Sequence, residues 1–178
     1  ALLLPLPALA AAPPSLRQDS DADLAPDAVQ TRIAEIKDTI PPFVSTFNTD
    51  DGAWDTDSDE DITRSFAPGV YHLRNDTTQT IGWSMYDRTA ADFYAEVDTY
   101  YVDGPTDNEF GILFRHADDD NYWVFSISSD GYYRLDKQVD NEWETAVDWI
   151  QASSINTGEG SHNVIGLLVE GRKIAMLV

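Results

Sequence analysis

Between residues 92 and 138 the chain alternates in side-chain character with a period of two. Successive side chains of a strand point to opposite faces, so this period dictates β-structure with one apolar face. One set of alternate positions holds Phe93, Ala95 and Val97, then Phe110, Ile112 and Phe114, then Trp123, Phe125 and Ile127, then Tyr133 and Leu135. Nearly all are apolar, and they are expected to form the interior of a sandwich. The runs are separated by Asp103-Gly104-Pro105, Asp118-Asp119-Asp120-Asn121, Ser129-Asp130-Gly131 and Asp140-Asn141. Such clusters close hairpins, and successive hairpins give antiparallel sheets.

Applied to the whole chain, the same reasoning gives strands at Val70 to Arg74, Thr80 to Tyr86, Asp92 to Val102, Asn108 to His116, Tyr122 to Ser128, Tyr132 to Gln138, Trp143 to Ile150, Asn163 to Val169 and Lys173 to Val178. One segment departs from the pattern. Val29, Ile33, Ile36 and Ile40 recur at helical spacing, with Asp27 and Gln30 placed as a capping pair and Pro41-Pro42 as a stop, which gives an amphipathic helix over about 27 to 40, in the 27–42 segment. Upstream, residues 1–12 read as the apolar core and cleavage region of a secretory signal, and 13–26, rich in Pro, Ser, Asp and Ala, as a disordered linker. The fold class expected is all-β, an antiparallel two-sheet sandwich over 43–178 preceded by one short helix. Its last apolar strand lacks its expected neighbours, so the sandwich is read as truncated at the C-terminus, with further domains possible beyond it.

Composition narrows the function. The 178 residues carry 32 acidic and 11 basic side chains, a formal charge of -21, whose field repels the phosphate backbone of nucleic acids. No segment has the roughly 20 consecutive apolar residues of a membrane-spanning helix. The sequence has no Cys and only three His, so thiolate chemistry and Cys/His metal sites are removed and any metal must be held by oxygen.

The second set of alternate positions is mixed: Tyr94, Glu96, Asp98 and Tyr100, then Gly111, Leu113 and Arg115, then Tyr122, Val124, Ser126 and Ser128, then Tyr132, Arg134 and Asp136. Flat rings beside carboxylates and guanidinium groups suit a sugar, which presents apolar C–H patches and vicinal hydroxyls. Glu96, Asp98, Arg115, Tyr122, Ser126, Tyr132 and Arg134 are therefore the candidate ligand-binding residues. An exposed face held by ordinary cross-strand ion pairs is the competing reading.

The stretches Asn108 to His116, Asp120 to Ser128 and Asp130 to Leu135 resemble the sheet segment of concanavalin A-like (laminin G-like) jelly-roll domains of secreted bacterial proteins. The shared pattern is an apolar strand ending in Arg, an Asp/Asn turn, an aromatic strand and a Ser-Asp-Gly-Tyr hairpin. The resemblance implies a jelly roll, an extracellular location and a carbohydrate or cell-surface glycan as partner. Members of this superfamily are binding modules or glycoside hydrolases. The Glu-x-Asp-x-x-Glu motif of its hydrolases does not occur here, so a lectin-like module is the first reading. A hydrolase, with Glu96 and Asp98 about 7 Å apart on one strand, and an adhesive protein-binding domain are the alternatives. A separate acidic loop places Asp55, Asp57, Asp59 and Asp61 at alternate positions. Hard oxygen ligands in such a series are candidates for calcium, although the loop lacks the glycine and the bidentate glutamate of an EF-hand.

Overall fold

Val29, Ile33 and Ile36 share one face of the helix α1, Pro26–Thr39, and all three are buried. The helix begins one residue earlier than the spacing suggests. Pro26 occupies its first turn, Ala25 is the N-cap, and no side chain caps the free backbone N–H groups. Asp27 therefore lies within the first turn, where its carboxylate favours the positive end of the helix dipole instead of closing a capping box. The structure, a computed structural model, describes residues 2–5, 25–77, 80–86 and 88–178. Most of the expected signal segment and linker lies outside the described residues; within it, Leu2–Pro5 forms the strand β1.

The chain divides into two compact units, one made by residues 44–90 and the other by 2–43 together with 91–178. In the larger unit, β5 (Phe93–Tyr100), β10 (His162–Glu170) and β11 (Lys173–Leu177) belong to a five-stranded sheet of order β11-β10-β5-β1-β2, with β2 at Phe43–Val44. A second, four-stranded sheet runs in chain order through β6 (Glu109–Asp118), β7 (Asn121–Ser128), β8 (Tyr132–Val139) and β9 (Glu142–Gln151). The pairings of these two sheets given by register are antiparallel. The fold class expected from alternation is thus the fold observed: an all-β antiparallel sandwich with one short helix.

The apolar set meets between the sheets. Phe93 of β5 packs edge-on against Phe114 of β6, with ring centroids 6.3 Å apart, and Phe125, Ile127, Ile165, Leu167 and Val169 are fully buried. The five-stranded sheet is covered on its other face as well, because α1 packs Val29, Ile33 and Ile36 onto Tyr94 and Leu168. That double burial explains why Ile165 to Val169 is apolar without alternation. Each large apolar side chain buried in this way contributes about 1.5–3 kcal/mol. The β8–β9 hairpin turns through Asp140 and Asn141, both at positive φ (50° and 65°), as a two-residue turn matched to strand twist requires.

The smaller unit is built on a hairpin of β3 (Ile62–Ala67) and β4 (Val70–Asn75). Phe47, Trp54, Phe66 and Tyr71 form an aromatic cluster beside it, with centroid separations of 5.1 to 6.1 Å. The segment 80–86, expected as a strand, is irregular. Its polar groups are engaged by side chains and by a distant backbone N–H. Met85 N donates to Asp55 Oδ2, Trp83 O accepts from Arg64 Nε, and Ser84 Oγ accepts from Asp55 N. No helix among the described residues is long and apolar enough to cross a membrane.

Candidate functional site

The seven candidate ligand-binding residues do not share one face. Glu96 and Asp98 belong to β5, in the five-stranded sheet, whereas Arg115, Tyr122, Ser126, Tyr132 and Arg134 belong to the four-stranded sheet. Glu96 is already engaged: Lys37 Nζ of α1 lies 3.1 Å from its Oε2, which also accepts a short hydrogen bond from the Tyr94 hydroxyl. Asp98 lies 2.8 Å from His162 Nε2, and His162 stacks on Tyr100 at 4.5 Å. The geometry that paired Glu96 with Asp98 for acid–base chemistry is therefore divided between a helix contact and a histidine contact.

Arg115 is displaced by a backbone irregularity. The β6–β7 register shifts between Phe114 and Asp118, and Arg115 adopts φ 52°, a left-handed conformation uncommon for a side-chain-bearing residue. The bulge turns its guanidinium toward the Gly171 carbonyl, to which it donates, and over the Trp123 ring at 5.7 Å. Lys137 approaches the same ring at 5.8 Å, so Trp123 lies between two cations on the inner side. His116, the next residue, takes the place expected for Arg115 and stacks on Tyr122 at 6.1 Å. The expected sharing of one face by Arg115 and Tyr122 is thus corrected by the bulge.

The remaining candidates, Tyr122, Ser126, Tyr132 and Arg134, are brought together on the outer face of the four-stranded sheet. Strand register arranges that face in rows. Gly111, Ser126 and Arg134 form one, Leu113, Val124, Asp136 and Thr145 the next, and Tyr122, Gln138 and Trp143 a third. Gly111 is required: a Cβ there would sit 1.9 Å from the Phe125 carbonyl oxygen. In the first row, Arg134 carries an ion pair along its own strand. Its Nη2 donates to Asp136 Oδ1 at 2.5 Å and reaches Thr145 Oγ1 at 3.2 Å, while its Nε lies against Asp136 Oδ2. The guanidinium also stacks over the Trp149 ring at 5.1 Å. Burial opposes its charge, but the hydrogen bond and charge of Asp136, with Glu109 and Asp148 beyond, outweigh burial and raise its pKa.

In the third row the two rings lean across the strand between them. Tyr122 and Trp143 meet edge to face at 5.7 Å, although Gln138 separates them in register. The face is consequently less open than alternation alone suggests: Tyr122 is 4% exposed, Ser126 1%, Asp136 3% and Gln138 8%, whereas Trp143 is 50% exposed. Three polar atoms in this group, Ser126 Oγ, Gln138 Oε1 and Arg134 Nε, are buried without a hydrogen-bond partner, the last held only by its ion-pair contact with Asp136. An unsatisfied buried polar atom costs about 1–3 kcal/mol, so such atoms are uncommon and call for a reason. Sequence reasoning misses Gln138, Trp143 and Trp149, whereas it places Asp136 on this face but not among the binding candidates. Gln138 continues the alternation of Tyr132, Arg134 and Asp136, which could have found it; Trp149 could not be assigned to this face, because β9 slips register against β8 near Leu135.

The acidic loop does not form a convergent ligand set. Among the described residues no group of three or more metal-ligating side chains comes together. Asp59 Oδ1 instead accepts from the backbone N–H groups of Asp61 and Ile62 at 2.8 and 2.7 Å, and the Ile62 and Asp61 amides hold its pKa below the usual carboxylate value. Asp55 Oδ2 is taken by the Met85 amide at 3.0 Å, and the Asp57 carbonyl by Arg64.

Comparison with family models, curated proteins and solved structures returns no match.

Proposed function

We propose that this protein is a secreted, lectin-like module that binds carbohydrate on the outer face of its four-stranded sheet, in the manner of a jelly-roll domain. The observation that carries this reading is the pair of orphaned acceptors, Ser126 Oγ and Gln138 Oε1, set among aromatic rings and an ion pair. A sugar supplies what each part lacks. Its hydroxyls donate to the two buried oxygens, and its C–H faces pack on Trp143 and Trp149, as sites with few convergent polar groups and apolar walls require.

The test is a screen of immobilised oligosaccharides with the wild-type protein and with Trp143→Ala and Trp149→Ala. Binding of at least one glycan, weakened about ten-fold or more by either substitution, is the expected outcome. Wild-type binding that both variants retain would place the ligand elsewhere, and no binding by the wild type would remove the reading.

A further inference from the structure

An arginine on a sugar-binding face suits a carboxylate-bearing sugar when its fork is free, but the geometry assigns the opposite preference here: we infer that the Arg134–Asp136 pair makes this face selective for neutral glycans over carboxylate-bearing ones. The inference rests on the carbohydrate reading above and goes beyond it by naming the ligand class. A guanidinium recognises a carboxylate by presenting two parallel N–H groups. In Arg134, Nη2 donates to Asp136 Oδ1 and reaches Thr145, and Nε lies in ion-pair contact with Asp136 Oδ2 without an aligned hydrogen bond, so Asp136 already occupies that edge of the guanidinium. The guanidinium carbon lies over the Trp149 ring, 5.1 Å from the centroid. An acidic sugar would have to displace an internal carboxylate that is 3% exposed and already aligned.

The surroundings act in the same direction. Glu109 and Asp148 lie close enough to act on the Arg134 charge, and the protein as a whole carries -21, so an incoming carboxylate meets like charge at the rim and in the bulk field. A neutral ligand meets neither. Ser126 Oγ and Gln138 Oε1 are the two unpartnered oxygens of this face that can accept from sugar hydroxyls. Donating sugar hydroxyls satisfy these oxygens, whereas an ionised carboxylate only accepts and cannot satisfy Gln138 Oε1.

The experiment measures wild-type affinity for gluco-, galacto- and manno-configured oligosaccharides, each beside its C6-oxidised, carboxylate-bearing form. A bound neutral skeleton whose oxidised partner binds at least about ten-fold more weakly is the expected result. Equal or tighter binding of the oxidised form overturns the selectivity while leaving the carbohydrate reading intact. Binding of no member of either series removes that reading and the selectivity with it. Asp136→Asn, which frees the guanidinium, is expected to move the neutral-to-oxidised affinity ratio toward the oxidised form by about ten-fold; an unchanged ratio in the folded variant would show that the pair does not set the preference. If the variant does not fold, the wild-type ratio alone decides.

Discussion

Tyr94 combines three interactions at one position: its ring is buried beneath α1, Lys37 Nζ lies 5.0 Å from its centroid, and its hydroxyl donates to Glu96. Burial, followed by the Glu96 hydrogen bond and charge, pushes the phenol well above its ordinary value. Folding therefore favours the neutral form. That stabilisation is complete below the unfolded pKa of about 10 and is lost as the pH rises from there toward the folded value. Melting temperatures from about pH 9 to about pH 12 should fall more steeply for the wild type than for Tyr94→Phe, and parallel curves would contradict the assignment. Tyr122 and Trp123 give a second residue-scale test. Alternation sends them to opposite faces, and the structure agrees, but it buries Tyr122 more deeply than Trp123. Tyr122→Ala should cost about 3–5 kcal/mol in denaturant unfolding, at least as much as Trp123→Ala; a near-neutral Tyr122→Ala would show the outer face to be open. What alternation could not convey was this depth, because burial on the outer face depends on how Tyr122 and Trp143 lean over Gln138. Gly111→Ala, which forces a Cβ onto the Phe125 carbonyl, should lower stability by about 1–3 kcal/mol, measured in the same unfolding series.

At the scale of elements, the helix and most strands were legible because their patterns are local. The spacing of Val29, Ile33 and Ile36 defines a stripe whatever it packs on, and Pro26 was the available signal for the true N-terminus. The division into two sheets was not legible in the same way. Alternation fixes the side a residue faces within its own sheet, and it is silent on which sheet a strand joins. The passage from β5 to β6 through residues 101–108 carries the chain from one sheet to the other, and it separates Glu96 and Asp98 from Arg134. The bulge at Arg115 was equally silent, since nothing in Phe-Arg-His-Ala marks a positive φ. Because α1 covers the five-stranded sheet and not the candidate face, stability and binding should separate. Ile36→Ala, at a site with no exposure, should cost about 2–5 kcal/mol in stability while glycan affinity at a temperature where the variant is folded stays unchanged. Loss of affinity in step with stability would link the helix to the site.

For the whole molecule the dominant quantity is a charge of -21. Self-repulsion at that charge opposes compaction, and it is screened as the Debye length shrinks from about 30 Å at 0.01 M salt to about 10 Å at 0.1 M. The melting temperature should therefore rise by several degrees over that range; a flat response would mean that local pairs such as Arg32–Glu170 at 2.6 Å already compensate the field. Affinity for a neutral glycan should change little with salt, since no ligand charge enters. The central claim, that the outer face of the four-stranded sheet is the binding surface, is tested most directly by following the indole N–H resonances of the tryptophans in a 1H–15N titration with the neutral oligosaccharide that binds in the screen. The signals of Trp143 and Trp149 should shift together with ligand concentration while those of Trp54 and the inner-facing Trp123 stay fixed. Shifts confined to Trp54 or Trp123, with Trp143 and Trp149 unmoved, would contradict it.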